Sequence, residues 1–190
     1  MFDPRADLFF TNPTNNPVGH GQFGVLYLLR RDVVACLGLD PATGNHLREP
    51  ILWPGAMATL AGVDLLAKFY AGSDAQGQVG NRFKTFVRAF FQGLTPGDDE
   101  TLFQLRNSLL HSFGLYSENR TRTYHFHVTA AGNVPFIQQT SPIDFQIDLL
   151  VLHQRFEEAL ARYAAALEGQ QELQTKFIAM FTNYGAIRIH

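Results

Sequence analysis

The sequence predicts a mainly α-helical fold, a helical bundle of about five to six helices with one inserted β-hairpin. Three observations carry that expectation. Apolar residues recur at helical spacing over most of residues 22–183. Gly or Pro punctuates the ends of these stretches. One segment, Thr123-Tyr124-His125-Phe126-His127-Val128-Thr129, alternates with a period of two. The turn Ala130-Ala131-Gly132-Asn133 can fold it back onto a second strand over 134–139. A chain of 190 residues reads as a single domain, 1–190.

The first twenty residues are rich in Asn and Pro and read as an irregular N-terminal arm. Residues 22–37 carry Phe23, Leu26, Tyr27, Val33, Val34 and Leu37 at helical spacing, with Gly38 as a stop. A polar loop over 40–50 leads to a helix over 54–70 that ends at Ala71-Gly72. Residues 81–92 place Phe83, Phe86, Val87, Phe90 and Phe91 on one side of a third helix. Two later starts share one grammar. Thr95-Pro96-Gly97-Asp98 and Ser141-Pro142-Ile143-Asp144 both offer a hydroxyl, a Pro and an acid in helix-opening order. They predict helices over 96–113 and 142–167. Gly169 separates the latter from a last helix over 170–183. The hairpin insertion occupies 115–140.

Composition narrows the function classes. Hydrophobic residues make up 46% and charged residues 17%, which suits a folded domain rather than a disordered chain. No apolar run reaches the length of a membrane span, so no membrane association is expected. The start shows no basic segment followed by an apolar one, as a secretory leader would. The single cysteine, Cys36, excludes an internal disulfide and a cysteine-built zinc site. The cytoplasm is the expected location. A net charge of −2 argues against strong non-specific binding to nucleic acid. The signatures of P-loop nucleotidases, dinucleotide-binding folds, serine hydrolases and zinc proteases are absent from the sequence.

One motif carries chemistry. Leu105-Arg106-Asn107-Ser108-Leu109-Leu110-His111 places an Arg, a neighbouring Asn and a His within one predicted helix. The bare Arg-to-His spacing also occurs from Arg120 to His125 and from Arg122 to His127. Requiring Asn after the Arg leaves Arg106 alone, against roughly 0.06 matches expected by chance. The motif resembles the signature of the HEPN superfamily (higher eukaryotes and prokaryotes nucleotide-binding domains). That resemblance implies an all-α bundle. It also implies a homodimer in which Arg and His of both chains meet at one cleft, and a metal-independent RNA endonuclease that leaves a 2′,3′-cyclic phosphate. Other members of the family act as non-catalytic nucleotide- or protein-binding modules.

The residue chemistry suits those roles. His111 can exchange protons near neutral pH. Arg106 offers a planar donor fork to a phosphate oxygen. Asn107 can orient either one. On an ideal helix, Arg106 falls inside the apolar stripe Leu102-Leu105-Leu109-Phe113 and points about 140° away from His111. This geometry favours apposition of two chains over a site within one chain.

An unrelated structural role is the competing reading. Arg106 in an apolar stripe needs a buried acid, and Asp64 in Ala61-Gly62-Val63-Asp64-Leu65-Leu66 is the best structural partner. Arg120, Arg122 and Tyr116 form the candidate substrate-binding patch for RNA backbone and a stacked base. His125 and His127 share one strand face. They lack a second fixed ligand pair, so neither a metal nor a cofactor is assigned.

Overall fold

The structure is a computed structural model that describes residues 2–11, 22–40, 42–132 and 135–188. Among these residues the chain forms seven helices and two β-sheets, so the expected helical bundle with one hairpin is corrected to a mixed α/β fold. The helices are α1 (Pro4–Phe10), α2 (Val25–Cys36), α3 (Leu52–Ala71), α4 (Val79–Phe90), α5 (Asp98–Ser112), α6 (Leu149–Gly169) and α7 (Gln171–Tyr184). No helix among the described residues is long and apolar enough to cross a membrane.

The expected irregular arm holds a helix. The carboxylate of Asp3 caps α1 by accepting from the Arg5 backbone N–H at 2.8 Å, and Pro4 suits the first helical position. Ala6, Phe9 and Phe10 are buried. Phe9 lies 4.4 Å from Phe69 and 5.4 Å from Phe177, ring centre to ring centre. The guanidinium of Arg30, on α2, donates to the carbonyls of Phe10 and Thr11 at the end of α1 and pairs with Glu157 on α6. Apolar anchors and a cap therefore override the Asn/Pro composition. The rest of the arm, 12–20, lies outside the described residues.

Helix α3 is the centre of the core. It packs against α2, α4, α5, α6 and α7, and its buried residues include Ala56, Leu60, Val63, Leu66, Ala67 and Phe69. Around it Phe83, Phe86, Phe156, Phe177 and Tyr163 are fully buried. This is where the excess of Phe is spent.

The second sheet departs most from expectation. It has the order β2-β3-β5-β4, formed by β2 (Tyr116–Glu118), β3 (Thr123–Thr129), β4 (Ile137–Gln139) and β5 (Asp144–Asp148). β3 does not pair with β4. It lies parallel to β5, with Phe126 opposite Phe145 and Val128 opposite Ile147, while β2 and β4 pair antiparallel on either side. Ser141-Pro142-Ile143-Asp144 is thus a strand connection, not a helix start. The Ser141 hydroxyl binds the Asp144 carboxylate and accepts the Asp144 backbone N–H. In β5, Phe145 and Ile147 alternate into the core.

The true start of α6 is capped by Asp148. One of its carboxylate oxygens accepts from Leu150 and Val151, and the other accepts from Ala131, Gly132 and Thr129. A wholly buried carboxylate thereby joins the end of β3 to the helix. A small antiparallel sheet pairs β1 (Gln22–Gly24), just before α2, with β6 (Ala186–Arg188), just after α7. Gly24 is needed there, because a Cβ would lie 2.4 Å from the Leu8 carbonyl oxygen.

Two outcomes follow from buried polar groups. The Tyr163 hydroxyl is buried with no hydrogen-bond partner among the described residues, and its ring packs against Phe86 and Phe90. Tyr163→Phe removes that orphan and keeps the ring, so it should raise stability by about 1 kcal/mol in urea denaturation. His153, on α6, is held below its ordinary range by burial, opposed by Glu157 and reinforced by Arg30. In the unfolded chain the imidazole takes a proton near its ordinary value, so the unfolded state holds more protons as pH falls through that range. Stability should therefore drop from pH 7 to pH 5, and the drop should be smaller in His153→Gln, read as urea midpoints at the two pH values.

Candidate functional site

Arg106, Asn107 and His111 all lie on α5. That helix carries Asp98, Asp99 and Glu100 in its first turn and His111 in its last, which suits the charge at each end. Leu102, Leu105 and Leu109 are wholly buried and fix its rotation against the core. Phe113 departs from that stripe and is exposed.

The expected partner of Arg106 is in place. Its Nη2 donates to Asp64 Oδ2 at 2.5 Å, and both side chains are about nine-tenths buried. Its Nη1 donates to Asn107 Oδ1 at 3.2 Å and lies 2.6 Å from His111 Nε2. Arginine carries no acceptor, so Nε2 accepts and the imidazole proton is on Nδ1. Arg106 and His111 therefore meet within one chain. An ideal helix separates their Cβ directions by about 140°, but the guanidinium lies at the end of a long stem and closes the gap.

These residues form one wall of an open cleft of about 620 Å3. Gln104, Phe103 and Ser112 add to the α5 side, Val79 comes from α4, and β2 supplies Tyr116, Ser117 and Glu118 opposite. A hydrogen-bond chain ties the walls together. Ser117 donates to Gln104, and Gln104 and Asn119 donate to Glu100, which also pairs with Lys84. Burial disfavours the Glu100 carboxylate, but the hydrogen bonds from Lys84, Gln104 and Asn119 outweigh it and lower its pKa. Tyr116 donates to Glu118 at 2.8 Å, which raises the pKa of its phenol.

The candidate substrate patch divides. Tyr116 lines the cleft. Arg122 does not: its guanidinium donates to the Pro142 carbonyl and stacks 4.6 Å from the centre of the Phe145 ring. Arg120 is exposed in the turn between β2 and β3, also outside the cleft lining. His125 and His127 lie on the outward face of β3, each near Asp144 at 3.6 and 3.7 Å. Among the described residues no three or more His, Cys, Asp or Glu side chains are grouped to hold a metal ion.

Gln104, Ser117 and Glu118 were missed from the sequence. A signal for Gln104 existed, because it shares a helix face with Asn107 and His111 at spacings of three and four. Ser117 and Glu118 had none, since their strand is only three residues long. No protein-family model, curated protein or solved structure matches this chain.

The pair Asp64–Arg106 has a measurable consequence. Asp64→Ala strands a buried guanidinium and should cost about 3–5 kcal/mol of stability. The double substitution Asp64→Leu with Arg106→Met should cost much less than the sum of the two single changes. Urea denaturation of the four proteins completes the cycle.

Proposed function

We propose that this chain is a metal-independent RNA endonuclease whose active site is the α5–β2 cleft. The observation that carries the reading is the convergence of Arg106, Asn107 and His111 on one cleft wall, with Asp64 bracing Arg106 from the core. A braced guanidinium is already oriented when charge develops at phosphorus. In this mechanism an incoming phosphate oxygen takes over Nη1 of Arg106 and releases the Nε2 lone pair of His111. That nitrogen accepts the ribose 2′-hydroxyl proton. O2′ bonds to phosphorus, the P–O5′ bond breaks, and the proton is delivered to O5′. The products are a 2′,3′-cyclic phosphate and a free 5′-hydroxyl. Asn107 holds Arg106 in register through the transfer. The cellular setting we infer is the cytoplasm, where RNA is at hand and a lone cysteine stays reduced. The HEPN resemblance implies a homodimer apposing two clefts, although the Arg106–His111 contact closes without one.

One observation favours a second reading. Arg106 is only 8% exposed and both arms of its fork are occupied. A guanidinium so engaged suits a non-catalytic nucleotide- or protein-binding module.

Incubation with a mixed RNA pool in EDTA separates the two. Wild type should cleave and leave cyclic-phosphate ends. His111→Gln should lower the rate by roughly 100- to 10,000-fold while melting near wild type. Arg106→Lys, which keeps the charge but not the fork, should also be impaired. Absence of cleavage by wild type, or full activity in His111→Gln, sinks the nuclease reading. Sedimentation in the same buffer measures the assembly.

A further inference from the structure

The ion pair behind the cleft leaves two of its own polar atoms unused. Arg106 Nε and Asp64 Oδ1 are both buried and have no hydrogen-bond partner among the described residues. A buried orphan of this kind carries the full cost of its desolvation. The two orphans belong to side chains that already touch, since Nη2 of Arg106 donates to Asp64 Oδ2 at 2.5 Å. On a guanidinium, Nε and Nη2 direct hydrogens from the same edge, and that edge matches the two oxygens of a carboxylate. Side-on pairing through Nε and Nη2 would fill both orphans, yet the pair makes a single bond. What holds it there lies on the other side of the guanidinium. Nη1 is 2.6 Å from His111 Nε2 and 3.2 Å from Asn107 Oδ1.

Arg106 thus has two places to put its fork. In the first, the one in the structure, His111 and Asn107 engage Nη1 and two buried atoms go unpaired. In the second, the guanidinium tilts about its Nη2 contact, both Asp64 oxygens are filled and His111 is released. The first keeps two bonds from a charged donor, and the second gains one such bond that fills two buried orphans. A near balance of this kind is decided by whatever changes one side of it. A proton on His111 Nε2 does so, because an imidazolium offers no acceptor and repels a guanidinium 2.6 Å away. Charged or titratable groups reach this end of α5 from each element packed on it. Asp64 of α3 stands behind Arg106. β2 brings Tyr116 and Glu118, which are bonded to each other, and His125 of β3 lies beside the Tyr116 ring. On α4, Lys84 and Arg88 pair with Glu100 and Asp99 near the start of α5. Arg106 is the cation in contact with the imidazole nitrogen.

We propose that Arg106 is a two-position switch: it latches His111 Nε2 while the imidazole is neutral and turns side-on to Asp64 when that nitrogen takes a proton. Asp64 is then more than a brace, because its second oxygen is the other seat for the guanidinium. The switch belongs to Asp64, Arg106, Asn107 and His111 and holds whatever the cleft binds. One consequence rests on the nuclease reading. There the switch lets His111 hold the substrate proton beside an arginine that has turned Nη1 away from it.

The test is proton–nitrogen NMR on the isotope-labelled full chain, without RNA, from about pH 8 to about pH 5. His111→Gln and Arg106→Lys assign the signals. Neutral His111 should carry its proton on Nδ1, with Nε2 resonating as an acceptor nitrogen. As the His111 ring takes its second proton, the Arg106 Nε–H signal should move downfield, as a new bond to a carboxylate requires, and the two should follow one titration curve. In His111→Gln, which takes no proton, the Nε–H signal should stay in place across the range. Asp64→Asn offers one oxygen instead of two, so there Nε–H should stay in place while His111 titrates. A neutral His111 with its proton on Nε2 overturns the switch. So does an Nε–H signal that is already at the bonded position at high pH, or one that ignores the His111 titration. Wild type alone gives these three readings, so the outcome does not depend on whether Asp64→Asn folds. The RNA cleavage assay judges the nuclease reading separately, and neither result decides the other.

Discussion

A carboxylate on the innermost helix sets the terms for the rest of this molecule. Asp64 lies on α3, among Val63, Leu66 and Ala67, where a lone charge is costly. Arg106 answers it from α5 at 2.5 Å. That contact, with the buried stripe Leu102-Leu105-Leu109, fixes how α5 is rotated. The rotation decides which residues line the cleft, and Gln104, Asn107 and His111 follow from it. The pair therefore belongs to both the core and the cleft. Removing it disturbs the fold and the site together, which is why activity lost on changing Arg106 alone is ambiguous and His111 is the cleaner probe.

The parts legible from sequence were those set by local pattern. The spans of α3, α4 and α7 follow their apolar spacing closely. Asp64 as the partner of Arg106 was legible from burial alone, because a carboxylate inside an apolar run must find a cation. What escaped was long-range. Ser141-Pro142-Ile143-Asp144 has the grammar of a helix start, but the same hydroxyl and carboxylate also stabilise a turn between strands. The choice was made by Phe145 and Ile147, which find Phe126 and Val128 across a parallel ladder. No window along the chain contains that pairing. Likewise Gln22–Gly24 continues the apolar pattern of α2, and only the distant strand at 186–188 draws it out of the helix.

The grouping of Arg106, Asn107 and His111 on one helix was legible, and their mutual geometry was misjudged. Helical angles set Arg106 apart from His111, but they ignore the reach of an arginine, and the two side chains meet. The consequence is substantial: the Arg–His contact needs no second chain. Phe113 was misjudged for the opposite reason. Its spacing places it on the apolar stripe, but the helix ends just before it, and a left-handed residue swings the ring out of register. A periodic pattern loses its meaning at the residue where the period stops.

The arrangement asks one guanidinium to serve two masters, and the magnitudes show how it can. Its Asp64 arm lies in a largely dry setting, where leaving the carboxylate unpaired costs several kcal/mol. Its other arm meets an imidazole nitrogen and a side-chain amide at the cleft surface, bonds worth about 1.5–3 kcal/mol each to a charged group. An incoming anion can therefore displace the imidazole nitrogen and not the Asp64 carboxylate. The same reasoning limits the site. Because Asp64 offsets the Arg106 charge, the cleft offers little net positive charge to a polyanion.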